Sequence, residues 1–266
     1  MELYTHGHPE VVVETHARRT AEADAAYARD LFFDGAMALD VGCGPGSVSV
    51  GLARWVGSGE VIAIDVSEEV LESARRRSGE VRNLRYEKAD VYELPYEDSF
   101  FDVVHAHQVL QHLAEPVRAL SEMMRVLKPG GAVAVRDGDF ETFIHHPYDP
   151  MLARWRDVYR QVARANGGEP DAGRKLFEWV SRAGFDVEAV TGTPWIFTSE
   201  ADRIWWGEQW ALRAVSSPFA DRGCETGITN AEELEEISHA WKRWTRAPYA
   251  YHSLLMTEVV GKRPQA

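Results

Sequence analysis

The chain has 266 residues, 45% hydrophobic and 27% charged, with a formal net charge of −13. This balance excludes disordered and fibrous classes, and the acidic charge argues against a nucleic-acid partner, whose phosphates call for a basic stripe. No apolar run approaches the roughly 20 residues of a membrane span, residues 1–10 lack the basic and apolar regions of a secretory signal, and two cysteines, Cys43 and Cys224, make neither a disulfide framework nor a metal cluster.

Residues 10–33 read as one or two helices, and 1–35 as an N-terminal helical cap. Residues 36–140 alternate short apolar runs (AMALDV, EVIAID, LRYEKAD, FDVVHAH and AVAVRD) with helical patterns, the mark of βαβ units and a parallel sheet. Ser67 is a good N-cap, with Glu68 and Glu69 in the first turn and Arg75, Arg76 and Arg77 in the last, complementing both ends of the helix dipole. Pro116 suits the first turn of a helix that KPGG at 128–131 stops. Beyond the core, 151–166 is amphipathic, 171–183 reads as a helix, and 187–190 and 254–260 read as the last two strands. Between those strands, residues 200–247 are too many for a structureless loop and are read as helical. One domain, 1–266, is expected, with its core at 36–140 and helical lid insertions at 141–170 and 200–247.

The informative stretch is LDVGCGPG, residues 39–46. An apolar strand runs straight into Gly42, Gly44 and Gly46, which let the backbone turn sharply and approach a ligand closely. Asp65 ends the next strand, where a carboxylate can accept hydrogen bonds from both hydroxyls of a ribose. Asp90 ends the third and projects to the same sheet edge, where doubly wound folds bind their ligands. A tight turn with no ligand is the plainer reading of the glycines alone, but the two acidic strand ends converge on the same edge. A nicotinamide cofactor fits less well: its fingerprint wants a third glycine where Ser47 stands, and Asp40 would face the pyrophosphate. A cofactor bearing a sulfonium and an ammonium group tolerates that carboxylate.

LDVGCGPG, the Asp65 strand end, KADVYELPYEDSFFDVV and VLKPGG together resemble the class I S-adenosylmethionine methyltransferases, nearest the ubiquinone/menaquinone-biosynthesis branch. The resemblance covers about residues 36–140. It implies a Rossmann-like α/β fold, a seven-stranded doubly wound sheet with one antiparallel strand. It also implies S-adenosyl-L-methionine as cofactor, with S-adenosyl-L-homocysteine as product. Asp40, Gly42, Gly44 and Gly46 would lie near the methionine moiety, Asp65 and Val66 at the ribose, Asp90 and Val91 at the adenine, and His107 and Gln108 near the reacting methyl. The expected function is methylation of a small aromatic, apolar or amine-bearing acceptor in the cytoplasm, by a monomer or homodimer without a metal. An NAD(P)-binding oxidoreductase and an adenosylmethionine-binding protein that is not a methyl-donor enzyme, whether noncatalytic or using the cofactor to assist a cyclisation, are the alternatives.

Methyl transfer is an in-line displacement, so holding the acceptor aligned is the main task, and a base is needed only where a proton must leave. His107, His112, His145 and His146 are candidate bases, though a single histidine is more often a hydrogen-bonded structural residue. Tyr4, in YTHGH, is placed in a cap across the pocket mouth. Trp205, Trp206 and Trp210 either line the acceptor pocket or pack the insertion onto the domain.

Overall fold

The computed structural model describes residues 16–265. Five strands run parallel: β1 (Met37–Val41), β2 (Glu60–Asp65), β3 (Leu84–Lys88), β4 (Phe101–His107) and β5 (Leu127–His146). Two more, β6 (Asp186–Phe197) and β7 (Tyr251–Lys262), complete a sheet of order β3-β2-β1-β4-β5-β7-β6. Strand β7 is antiparallel to both its neighbours. This is the seven-stranded, Rossmann-like sheet with one antiparallel strand expected from the sequence. The chain reverses its winding between β1 and β4, so their carboxyl ends flank a crevice.

Helices α1 (Ala21–Asp24) and α2 (Ser47–Trp55) cover one face, while α4 (Pro116–Val126) and α6 (Leu176–Arg182) cover the other; α3 (Glu68–Ser78) links β2 to β3. The two-residue alternation of strand side chains divides the core accordingly. Ala38, Ala63, Val103 and Ala134 face α1 and α2, where small residues let the helices approach closely. Leu39, Ile64, Val104 and Val135 face α4 and α6. Ser67 caps α3, accepting from the Val70 amide at 3.4 Å, and Pro116 occupies the first turn of α4.

A further layer comprises α5 (Pro150–Ala165), α7 (Glu200–Arg213), α8 (Pro218–Glu225) and α9 (Ala231–Arg246), so residues 200–247 are indeed largely helical. These helices pack over the upper ends of β5 and β7 around a second core that includes Trp155, Trp210, Trp241, Phe143 and Leu254. Between the two cores, the sheet face under α1 carries a buried polar belt. Register aligns Asp40 with His105, and His107 with Arg136, Glu258 and Thr191 in turn across four strands. Among the described residues no helix is long and apolar enough to cross a membrane.

Candidate functional site

A cavity of about 770 Å³ opens at the crevice between the ends of β1 and β4. Its lining includes the Gly-rich turn at Gly42 and Gly44, the strand ends at Asp65, Val66, Asp90 and Val91, and the β4 exit at His107, Gln108 and His112. That size suits a ligand pocket, and the place is where this topology puts one. Sequence reasoning missed His16 and Arg19, which line it from the N-terminal segment. An arginine preceding a helix carries no local signature of where it will dock.

The three glycines do different things. Gly42 and Gly44 line the cavity, and a Cβ on Gly44 would meet nothing within 4 Å, so its absence leaves room for a ligand. Gly46, with φ of 78°, faces away: a Cβ there would stand 2.1 Å from the Tyr86 hydroxyl oxygen. Asp65 braces the turn, accepting from the Gly44 amide at 3.2 Å and from the Ser67 amide at 3.0 Å. Its carboxylate thus stands fixed at the cavity wall. Asp90 lies two residues past the end of β3 and accepts from the Tyr92 amide at 2.9 Å. Asp40 lines the cavity, but its carboxylate is engaged below it: Oδ2 accepts from Ser49 Oγ at 2.5 Å and Oδ1 lies 2.8 Å from His105 Nδ1. It ties β1, α2 and β4 together beneath the Gly-rich turn.

Of the four candidate histidines, the fold brings two to the cavity. His107 is buried, and burial together with the Arg19 and Arg136 charges holds its imidazole well below the usual range. His112, also desolvated and facing Arg19, is pushed down to about 3. Both are therefore neutral at physiological pH. His145 and His146 end the long β5 and lie outside the cavity lining: His145 Nε2 contacts the Asp149 backbone, and the His146 carbonyl accepts from Trp244 Nε1 at 3.1 Å. Gln108 holds a left-handed backbone, φ 55°, uncommon for this residue type and a frequent sign of a functional constraint. Its amide donates to the Arg136 carbonyl at 2.7 Å and its side-chain oxygen accepts from Arg19.

Residues 39–135 match the family model described as a methyltransferase domain. The chain is 32% identical to an uncharacterized methyltransferase of Schizosaccharomyces pombe, over 91% of this chain and 89% of that one. It is 31% identical to a demethylmenaquinone methyltransferase of Staphylococcus saprophyticus, over 59% and 75%. Among solved structures, a putative methyltransferase from Bacillus halodurans superposes with a TM-score of 0.60 at 19% identity, covering 91% of this chain and all but 1% of its own. The chain belongs to the class I S-adenosylmethionine methyltransferases. The [4+2]-cyclase SpnF shares the same fold, with a TM-score of 0.58 at 23% identity over 94% of this chain and 85% of that one.

The methyltransferase places its tryptophans mostly away from the cavity. Trp206 and Trp210 are buried in the second core, the former stacked on Phe197 and the latter edge-on to Trp155. Neither lines the cavity. Trp205 is half-buried beneath the Arg18 guanidinium, 4.6 Å from its ring centre. An aromatic beside His107 is one the sequence did not single out. Trp195 lies with its ring centre 6.4 Å from that of His107 and 5.5 Å from the Arg19 guanidinium. Tyr4 lies outside the described residues. Two buried acidic groups also escaped sequence reasoning. Asp24 on α1 bonds Arg136 at 3.0 Å. Asp137, desolvated on β5, is pushed up to about 8 despite the Gln111 and Leu110 amides and the Arg136 charge that oppose the shift.

Proposed function

We propose that this methyltransferase binds S-adenosyl-L-methionine in the 770 Å³ cavity and methylates a small organic molecule held at its His107 end, in the cytoplasm. The observation that carries the reading is the clasp of Gly44 by Asp65: a turn open on the ligand side, with a carboxylate locked beside it. The residues fit the cofactor. Asp65 and Val66 would hold the ribose, Asp90 and Val91 the adenine, and Gly42 and Gly44 would admit the methionine portion. Arg19 supplies a cation for its carboxylate. The cofactor, when bound, supplies an electrophilic methyl group on a sulfonium.

Most of the chain's contribution is orientation and exclusion of water, which together supply roughly 7–11 kcal/mol in well-aligned reactions. The N-terminal segment closes one wall through His16 and Arg19. Arg18 and Arg19 in turn lie on Trp205 and Trp195, which supports reading the helical layer as the backing of the acceptor site. Asp65→Ala is expected to weaken S-adenosyl-L-homocysteine binding by about 10–150-fold, the loss of charge-assisted hydrogen bonds worth about 1.5–3 kcal/mol. Isothermal calorimetry on both proteins checks it. Equal affinities would refute the ribose assignment, and preferential binding of a nicotinamide dinucleotide would refute the function.

A further inference from the structure

We infer that Gln108 is a positioning residue, whose neutral side-chain oxygen holds the Arg19 guanidinium where it reads the carboxylate of the cofactor's methionine portion. The inference rests on the proposed cofactor reading and adds to it how the arginine is held without Gln108 neutralising it. Arg19 and Gln108 both line the cavity at the β4 exit. Arg19 Nη2 donates to Gln108 Oε1, and the guanidinium lies over Trp195, 5.5 Å from its ring centre. That indole is itself tied, since its Nε1 donates to Asp24 Oδ1 at 3.4 Å. Burial and the Arg19 charge together hold the His107 and His112 imidazoles below their usual range, so the guanidinium is felt along this end of the cavity.

The chain leaves β4 in an unfavourable conformation to make this pair. Gln108 has φ of 55°, a left-handed backbone that a residue with a Cβ rarely adopts. Its amide donates to the Arg136 carbonyl at 2.7 Å, which fixes the twist. One residue on, Val109 packs on the Gly-rich turn: a Cβ on Gly42 would stand 2.5 Å from Val109 Cγ2. The twist therefore sends two successive side chains to different tasks, Val109 to the turn and Gln108 to Arg19. Strain of this kind persists where the surroundings over-determine it, and here it sets an amide oxygen against a cation.

The chemistry of the pair says what the cation is for. A purely structural anchor for an arginine is strongest when it is a carboxylate, as in the Arg136–Asp24 and Arg154–Glu233 pairs of this chain. An amide at position 108 orients the guanidinium and leaves its charge for an anion. The anion that the proposed cofactor carries is its α-carboxylate. With the adenosine at Asp65 and Asp90, the amino-acid end of that cofactor extends toward the β4 exit. A guanidinium has five N–H donors, so it can take a carboxylate while one of them stays on Gln108. Gln108 thus acts through Arg19 and the segment that carries it, and no bond is made or broken at either residue.

Calorimetry with two probes tests the pair: S-adenosyl-L-homocysteine, and its decarboxylated amine analogue, which keeps the adenosine, the thioether and the amine. Wild type is expected to bind the first more tightly. Arg19→Gln is expected to weaken the first about 10–150-fold, the loss of a charge-assisted contact, without weakening the analogue. Gln108→Gly relieves the left-handed backbone but removes the amide, and should weaken the first several-fold in wild type and not further in Arg19→Gln. Gln108→Glu strengthens the hold on Arg19 while neutralising it, so it should weaken the first at least as much as Gln108→Gly does and tighten the analogue. A tie that only fastened the N-terminal segment to β4 would instead be preserved by Gln108→Glu. Arg19 lies outside the hydrophobic clusters, so Arg19→Gln stays decisive should a Gln108 variant fold poorly. Equal losses for both probes, unchanged S-adenosyl-L-homocysteine affinity in Arg19→Gln or Gln108→Glu, or equal affinities in wild type would overturn the inference and leave the cofactor reading intact. Failure of S-adenosyl-L-homocysteine to bind wild type would overturn both.

Discussion

Replacing Trp210 by alanine separates packing from ligand contact in the helical layer. The indole is 2% exposed, with ring centres 4.5 Å from Trp155, 5.7 Å from Tyr159 and 6.4 Å from Trp241. Those neighbours come from α5 and α9, so truncation on α7 opens a space that rigid helices on two sides cannot close. Deleting a buried aromatic of this kind costs about 3–5 kcal/mol. In a chain of this size each kcal/mol lowers Tm by about 2–4 °C, so the expected fall is about 6–20 °C. Differential scanning calorimetry at neutral pH measures it. Titration with S-adenosyl-L-homocysteine on the same samples should agree with wild type within about twofold, because the indole lies outside the cavity. A Tm shift under about 2 °C, or a large loss of ligand affinity at unchanged Tm, would refute the assignment of this ring to the core.

Other perturbations probe the turn and the buried titratable groups. Gly46→Ala places a Cβ against the Tyr86 hydroxyl in a left-handed backbone and should lower Tm by at least about 2–8 °C from the conformational term alone; an unchanged melting curve would contradict the packing described. Burial raises the Asp137 carboxyl to about 8, against about 3.9 unfolded, so the folded chain binds more protons between those values and stability falls as pH rises from about 4 to 8. Asp137→Asn should flatten that slope in a series of thermal melts, and an identical slope would show that the group titrates normally. Burial holds His252 at about 3, against about 6.5 unfolded, so its contribution is full above about 6.5 and is lost as pH falls toward 3. His252→Phe keeps the ring stacking and should make the acid limb of the stability profile shallower; a limb as steep as wild type would count against it.

The elements near the cavity were legible because their signals are local. A strand of alternating residues, glycines that only a left-handed or close-packed backbone requires, a capping serine and a carboxylate at the next strand end all lie within about thirty residues of one another. LDVGCGPG and Asp65 needed no long-range information to be placed at one sheet edge. The helical character of 200–247 was legible for a similar reason, since periodicity and length suffice. Which face its tryptophans present was not. Trp206 and Trp210 could pack inward or line a pocket with the same spacing, and the answer depends on α5 and α9 filling the space beside them.

Only the tertiary structure could sort the histidines. His107 ends β4 and His112 follows it at the switch in strand order, whereas β5 continues far past the crevice and carries His145 and His146 away from it. The polar belt was beyond reach for the same physical reason. Arg136 and Glu258 are 122 positions apart, and Asp24 reaches Arg136 across 112. Each reads in sequence as an ordinary surface charge. Strand register and the docking of α1 remove them from water, and burial is what turns an unremarkable arginine and two carboxylates into the fixed surroundings of His107.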